Sequence, residues 1–194
     1  VLEMVYHAKA GHLGGSLSAA PIIVRLYNQM KYDPKNPKWE GRDRFILSKG
    51  HACEALYAVL ALKGFFPVEW LKEYRQRPDL MGHPSPLLPG VEVHTGSLGH
   101  GLPLAVGMAY AAQLKSEQHR VVCLTSDGDW LEGSTLEAFA FMADQTLPNL
   151  RVLVDWNSQI TLTTMKREGL FTVIPPEISS WFSDAKGWNP LWIT

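Results

Sequence analysis

The stretches RVVCLTSDG at residues 120–128 and LRVLVDWN at residues 150–157 decide the fold that this sequence predicts. Each contains a continuous run of apolar, largely β-branched residues, which is typical of a parallel strand buried on both faces. The residues between them predict a helix whose apolar face is formed by Leu136, Phe139, Ala140 and Ala143. A strand, a helix and a second strand of this length predict a parallel βαβ crossover.

Shorter patterns on either side of this unit predict the remaining elements. We expect helices at residues 1–10, 17–30, 52–60, 68–76 and 102–115, a short strand at residues 44–48, and a helix and final strand within residues 178–194. This alternation predicts an α/β fold, a three-layer αβα domain with a mainly parallel sheet.

Two of these helices carry more specific expectations. Pro21 would lie in the first turn of the helix at 17–30, where proline is tolerated. The helix at 102–115 is apolar almost all round, which predicts burial on several sides or packing at a subunit interface.

Composition and charge exclude several classes of partner. The chain has 194 residues, 46% of them hydrophobic, which is enough for one domain with its own core. A net charge of −1 without a basic run argues against nucleic acid and anionic membranes as main partners. No apolar run approaches the roughly 20 residues that span a bilayer, and no secretory signal is visible. Cys53 and Cys123 lack disulfide or zinc spacing, so we expect a reducing, cytoplasmic location.

Polar residues follow the two predicted strands of the crossover. Asp127 comes directly after the first strand, and Asn157 ends the second. The carboxyl ends of parallel strands line the ligand crevice of an open sheet, and both side chains offer hard oxygens that suit Mg²⁺ or Ca²⁺. Gly128 would let the backbone approach a phosphate. The alternative is that Asp127 only caps the next helix and Asn157 only forms a turn.

The histidines give a second signal, because four of the seven directly follow a glycine. These are His12, His51, His83 and His100, whereas random placement predicts roughly 0.6 such pairs. Each lies at an element boundary or in the Gly- and Pro-rich segment at residues 77–101, where loops usually serve function. Singly, each histidine is typical of a capping or hydrogen-bonding residue. Together they indicate a pocket that binds hydroxyl groups or transfers protons.

Longer motifs resemble the N-terminal half of a transketolase, and most closely the short N-terminal subunits of two-subunit transketolases. The resemblance spans about residues 1–157 and rests on GHLGGSLSA (11–19), DPKNPKWEGRDRFILSKGHA (33–52), GHPSPLLPGVEVHTGSLGHGLPLAVGMA (82–109), DGDWLEG (127–133) and VDWN (154–157). It implies a thiamine diphosphate-binding fold and transfer of a two-carbon ketol unit between sugar phosphates.

The resemblance also implies where the cofactor and the metal bind. Asp127, Gly128 and Asn157 match the motif that holds the diphosphate, and Asp127, Asn157 and the backbone carbonyl of Gln159 would bind Mg²⁺ or Ca²⁺. The stretch that would line the aminopyrimidine ring consists of Gly96, Ser97, Leu98 and Gly99.

The same resemblance assigns catalytic roles to several side chains. His12, His51 and His83 match histidines that contact the donor ketose and assist proton movements. His100 stands where the family usually has glutamine, and we include it with the histidines. Glu132 matches a glutamate at the interface between active sites.

The sequence departs from the family pattern around the diphosphate motif. Ser126 replaces the first glycine of the motif, and Ser158 replaces the glycine after Asn157. Asp129 adds a carboxylate among the cofactor-binding positions, where we expect it to cap the following helix or to repel the diphosphate. Residues 158–194 match the family poorly.

By resemblance, the chain holds only half of each active site. The pyrimidine-binding domain, which carries the activating glutamate of the family, is absent from residues 1–194. We therefore expect a single thiamine diphosphate domain, incomplete at both ends, that associates with itself and works with a C-terminal pyrimidine-binding subunit. The alternatives are another thiamine diphosphate enzyme, such as a 2-oxo acid dehydrogenase of the alpha type or a deoxyxylulose phosphate synthase, and a non-catalytic domain that retains the fold.

Overall fold

A computed structural model describes residues 1–157 and 192–193 of the chain. The helices and strands, in chain order, are α1 (Leu2–Ala8), α2 (Leu13–Tyr27), β1 (Arg44–Leu47), α3 (Cys53–Leu62), α4 (Gly101–Leu114), β2 (Val121–Ser126), α5 (Gly133–Asp144), β3 (Leu150–Asp155) and β4 (Trp192–Ile193). Short 3₁₀ helices lie at Gly50–Ala52, Val68–Glu73 and Gly128–Leu131.

The strands form one parallel sheet in the order β1-β2-β3-β4. Leu47 at the end of β1 pairs with Leu124 of β2, and Ser126 at the end of β2 pairs with Asp155 at the end of β3. The predicted βαβ crossover of β2, α5 and β3 is therefore confirmed. The final strand expected within residues 178–194 is present as β4, whereas the helix expected before it lies outside the described residues.

Alternate residues of each strand enter two separate hydrophobic cores. Phe45 and Leu124 pack with α2 and α3 on one face of the sheet. Ile46 and Cys123 pack with α4 and α5 on the other. Because successive side chains of a strand point to opposite faces, an apolar residue at every position needs helices on both sides. The three-layer αβα architecture predicted from the sequence is confirmed.

Helix α2 begins four residues earlier than the sequence pattern predicted. It starts at Leu13, so Pro21 lies inside the helix and the prediction of a first-turn position is wrong. The pattern missed this start because Gly14 and Gly15 have no apolar side chains to mark the helical period. The packing of α2 explains why residue 15 is a glycine, since a Cβ there would lie 3.1 Å from the Cδ2 atom of His51.

Helix α4 buries one face, not several. Leu102, Ala105 and Ala109 are fully buried against the sheet and α5. Leu104 and Leu114 are 42% and 70% exposed, which contradicts burial on several sides within the described chain. Packing of this helix at a subunit interface stays a prediction.

The structure bears on membrane spans and on the two cysteines. No helix in the described part of the chain combines the length and apolar character needed to cross a membrane. Cys53 and Cys123 are both buried free thiols, so they form no disulfide with each other.

Two glycines of α4 give a matched test of this packing. A Cβ at Gly101 would lie 2.5 Å from the backbone of Ser48, whereas a Cβ at Gly107 would meet nothing within 4 Å. We expect Gly101→Ala to lower the free energy of unfolding by about 1–3 kcal/mol through overpacking. Gly107→Ala should raise it by about 0.5–1 kcal/mol through helix propensity. Urea unfolding of both variants measures the difference, and an equal effect would contradict the described contact between α4 and the end of β1.

Candidate active site

The polar residues predicted at the strand ends lie at the same edge of the sheet. Asp127 directly follows β2, and Asn157 lies two residues after β3, the neighbouring strand. Adjacent strands run about 4.8 Å apart, so the topology brings these two positions together. Asp127 is only 1% exposed, and its Oδ1 atom accepts a hydrogen bond from the amide of Gly128 at 3.0 Å. The capping role considered for Asp127 is therefore present.

The chemistry of this edge fits a hard divalent cation. Asp127 offers a carboxylate, and Asn157 offers an amide oxygen. No group of three or more His, Cys, Asp or Glu side chains arranged for a metal occurs among the residues that the structure describes. A cation here would need further oxygen ligands from a bound anion, as Mg²⁺ commonly has at phosphate sites. Gln159, whose carbonyl was the third predicted ligand, lies outside the described residues.

Asp129 connects three segments of the site. Its Oδ1 atom accepts hydrogen bonds from the Ser48 hydroxyl at 2.6 Å and from the Gly99 amide at 2.8 Å. Its Oδ2 atom accepts from the amide and hydroxyl of Ser126 at 2.7 and 2.8 Å. The side chain is fully buried. The expectation that Asp129 caps the following helix is wrong, because four donors occupy its carboxylate and none of them belongs to that helix.

Three of the four predicted histidines lie together. The ring centroids of His12 and His51 are 5.6 Å apart, and those of His12 and His83 are 6.5 Å apart. His51 is partly buried, whereas His12 and His83 are more exposed to solvent. We call these three residues the histidine cluster. The sequence spacing alone did not show this proximity, which arises because three loops meet near the start of α3.

Desolvation and neighbouring charges favour the neutral form of two members of this cluster. Burial is the main cause that lowers the pKa of His51 to about 4, and the nearby Lys49 ammonium contributes to this shift. Desolvation also lowers the pKa of His83, with additional effects from His12 and Arg75. A neutral imidazole has one donor and one acceptor nitrogen, so each ring can bind a hydroxyl group and exchange its proton.

The predicted aminopyrimidine loop, residues 96–99, lies between the histidine cluster and Glu132. Gly96 has a φ of +151°, and a Cβ there would lie 2.8 Å from the Cδ2 atom of His83. Gly99 has a φ of +77°, and a Cβ there would lie 2.3 Å from the Cβ atom of Glu132. Only glycine fits at these two positions. Thr95, at the start of this loop, has a buried hydroxyl with no hydrogen-bond partner among the described residues.

His100 occupies a different place from the other three histidines. It lies at the N-cap position of α4, and its Nδ1 atom is 3.0 Å from the carbonyl oxygen of Leu98. The ring is exposed, and no described ring contact or hydrogen bond joins it to the histidine cluster. A catalytic role for His100 stays a prediction, and so do the roles of Ser97 and Leu98.

The structure adds site residues that the sequence analysis did not single out. Lys49 is fully buried, and its Nζ atom lies 2.5 Å from Oδ2 of Asp155 at the end of β3. The other oxygen of Asp155 accepts a hydrogen bond from Ser18 of α2 at 2.7 Å. Glu54 is a fully buried acid in the first turn of α3. The sequence could have indicated Glu54, because this glutamate stands among the apolar residues at the start of α3.

Comparisons with known proteins show which family the chain resembles. Residues 1–172 match the family described as "Transketolase, thiamine diphosphate binding domain". An apulose-4-phosphate transketolase subunit of Phocaeicola vulgatus is 43% identical over 167 residues, which cover 84% of this chain and 59% of that protein. The transketolase of Aquifex aeolicus is 43% identical over 175 residues, which cover 83% of this chain and 25% of that protein. The chain thus spans only part of the relatives it matches.

Solved transketolase structures have the same fold as this chain. The transketolase from Leishmania mexicana superposes with a TM-score of 0.80 at 33% identity, covering 88% of this chain and 28% of that chain. The Pichia stipitis transketolase in complex with sedoheptulose-7-phosphate superposes with a TM-score of 0.81 at 32% identity, covering 92% of this chain and 28% of that chain.

The lowered pKa of His51 predicts an acid-sensitive stability. Because this pKa is about 4 in the folded chain and about 6.5 when unfolded, the unfolded state binds more protons between these values. The free energy of unfolding should therefore fall as the pH drops from about 6.5 toward about 4. Urea unfolding at several pH values should show a shallower dependence for His51→Gln than for the exposed control His7→Gln. Equal slopes would contradict the burial of His51.

The four hydrogen bonds of Asp129 predict a large effect of an isosteric change. In Asp129→Asn the side-chain amide must face at least one donor, so we expect the free energy of unfolding to fall by at least about 2 kcal/mol. The exposed Asp144→Asn on α5 serves as the control and should change it by less than about 0.5 kcal/mol. Urea unfolding of both variants checks this, and similar values would show that the carboxylate network contributes little.

Proposed function

The chain belongs to the family of transketolase thiamine diphosphate-binding domains, and on this premise we propose that it takes part in two-carbon ketol transfer between sugar phosphates. The observation that carries the proposal is that one glycine-rich loop contacts both regions: Gly96 lies against His83 of the histidine cluster, and the amide of Gly99 donates a hydrogen bond to Asp129, two residues after Asp127. A diphosphate site and a hydroxyl-binding site must lie this close if a cofactor held by one is to react with a sugar held by the other.

The residues at the sheet edge fit thiamine diphosphate with a divalent metal. Asp127, Asn157 and the carbonyl of Gln159 would hold Mg²⁺ or Ca²⁺, with Gly128 allowing close approach of the diphosphate. Residues 96–99 would line the aminopyrimidine, where Thr95 offers its buried hydroxyl. Thiamine diphosphate, when bound, supplies the nucleophilic carbon and accepts the electron pair of the broken C–C bond.

The histidine cluster would serve the sugar. Neutral His51 and His83 can each donate one hydrogen bond to a hydroxyl or carbonyl oxygen and accept another. The lowered pKa values of His51 and His83 keep both rings neutral near pH 7, so each has an unprotonated nitrogen that would accept a proton from a sugar hydroxyl. His12 is exposed beside both rings, so it would contact the part of the donor nearest to solvent.

A second subunit or domain would complete the active site. The chain spans 59% of a relative that is itself named as one subunit of a transketolase, and 25% of a transketolase from Aquifex aeolicus. A partner that carries the pyrimidine-binding domain is therefore the expected complement, and self-association of the chain is expected as well. Glu132, placed against the loop at Gly99, would lie near that contact.

The matched relatives favour this function over the other thiamine diphosphate classes considered from the sequence. The relatives and structures above are transketolases, and none of these is a 2-oxo acid dehydrogenase or a deoxyxylulose phosphate synthase.

Calorimetric titration with thiamine diphosphate and Mg²⁺ tests the proposal. Saturable binding to the chain, alone or with a candidate C-terminal subunit, is the expected result. Asp127→Ala should weaken it by about a hundredfold or more, because it removes the only charged ligand proposed for the cation. The exposed Asp144→Ala is the control and should leave the affinity unchanged.

Two outcomes would contradict the proposal. Binding that Asp127→Ala leaves intact would mean that the diphosphate is held elsewhere. Failure to bind under every condition, including with the partner, would favour a non-catalytic domain that retains the fold.

A further inference from the structure

Glu54 has an unusual environment for an acid outside the proposed cofactor site. Its side chain is fully buried in the first turn of α3. Its Oε1 atom accepts hydrogen bonds from the His12 amide at 3.0 Å and the Tyr74 hydroxyl at 2.8 Å. Its Oε2 atom accepts from the hydroxyl of Ser16. These are neutral donors, and no described salt bridge includes Glu54.

This carboxylate stays ionised despite the cost of burial. Burial alone raises the pKa of Glu54, but the hydrogen bonds from Ser16, Tyr74 and the His12 amide outweigh it, so the net shift is downward. An ionised group in a core is costly unless donors satisfy it, and an apolar residue would fill the same volume at lower cost. A buried charge that donors satisfy is therefore more typical of positioning than of packing.

The donors of Glu54 include the backbone of a residue in the histidine cluster. The amide of His12 points to the carboxylate, so Glu54 fixes the loop that presents the His12 ring. Gly11, with a φ of +149°, is part of this contact, since a Cβ there would lie 2.5 Å from the Oε1 atom of Glu54. Any larger residue at position 11 would push this loop away from the carboxylate.

Helix α3 holds the other members of the cluster as well. His51 lies in the 3₁₀ turn that leads directly into α3. One turn after Glu54, the hydroxyl of Tyr57 is 2.7 Å from the carbonyl oxygen of His83 and 3.0 Å from that of Met81. The start of α3 therefore holds all three histidines: His51 directly precedes it, and Glu54 and Tyr57 hydrogen-bond the backbone of the other two.

We propose that Glu54 is the positioning residue that holds the histidine cluster in its arrangement for binding the hydroxyl groups of the donor sugar. The inference rests on the proposed function for the identity of the sugar site. It adds that the ring of His12 reaches its neighbours only while the carboxylate retains the amide of His12 and the hydroxyl of Tyr74.

The first experiment measures the imidazole signals by NMR in the full chain without any ligand. The charged groups acting on His83 are His12 and Arg75, which lower its pKa, and Glu54, which raises it. In Glu54→Gln we expect the midpoint of the His83 titration to move to lower pH and the His12 signals to shift. The signals of His7, His94 and His119 serve as internal controls and should not move.

The second experiment measures catalysis with thiamine diphosphate, Mg²⁺ and the partner subunit. Glu54→Gln should lower kcat/KM for the donor ketose by at least about tenfold, the scale that misplaced binding groups produce. The affinity for thiamine diphosphate should stay within about twofold, because Glu54 makes no described contact with the diphosphate motif. Tyr74→Phe, which removes one donor and keeps the ring, should give a smaller loss in the same direction.

Glu92→Gln is the matched control, because it removes a half-buried carboxylate that pairs with Arg42 near the start of β1. If Glu54→Gln and Glu92→Gln behave alike in both experiments, the positioning role is overturned. If the wild-type chain fails to bind thiamine diphosphate, the proposed function fails instead, and the NMR signals alone decide whether Glu54 positions the cluster.

Discussion

The candidate site depends on the four hydrogen bonds that converge on the buried carboxylate of Asp129. They join the turn after β1, the end of β2 and the glycine-rich loop through Ser48, Ser126 and Gly99. A buried carboxylate that loses its donors is costly, so none of these segments can move away without a penalty of several kcal/mol. The sheet edge and the loop therefore keep a fixed relation, and any ligand that touches both meets a preformed surface.

Glu54 and Asp129 hold different parts of the site by the same physical means. Each is a fully buried acid that accepts hydrogen bonds from backbone amides and hydroxyls, and neither forms a described salt bridge. Backbone amides have fixed positions, so they fix the orientation of the carboxylate that they bind. A flexible lysine would mainly supply a positive charge. A third buried acid, Asp155, differs from both because it pairs with Lys49, and this pair links the turn after β1 to the end of β3.

Much of the architecture could be predicted from the sequence, because local patterns encode it. The apolar runs around Val122 and Val152 predict buried parallel strands, and their register then places Asp127 and Asn157 at one edge. The partners of Asp129 and Glu54 could not be predicted, since each acid accepts a hydrogen bond from a residue more than 30 positions away. The residue-by-residue resemblance treated Ser126 and Asp129 as two separate departures, whereas the structure shows that one hydrogen-bonds the other.

The fold favours the neutral form of two rings of the histidine cluster, which reduces the electrostatic repulsion between neighbouring rings. Two positive charges about 6 Å apart repel each other by about 3 kcal/mol at an effective dielectric constant near 20. Desolvation lowers the pKa values of His51 and His83, so this repulsion is relieved near pH 7. The same neutrality leaves each of these rings with an acceptor nitrogen, which a cationic imidazole lacks. Desolvation therefore favours the close packing of the rings, and it also leaves on His51 and on His83 a nitrogen that can accept a hydrogen bond or a proton.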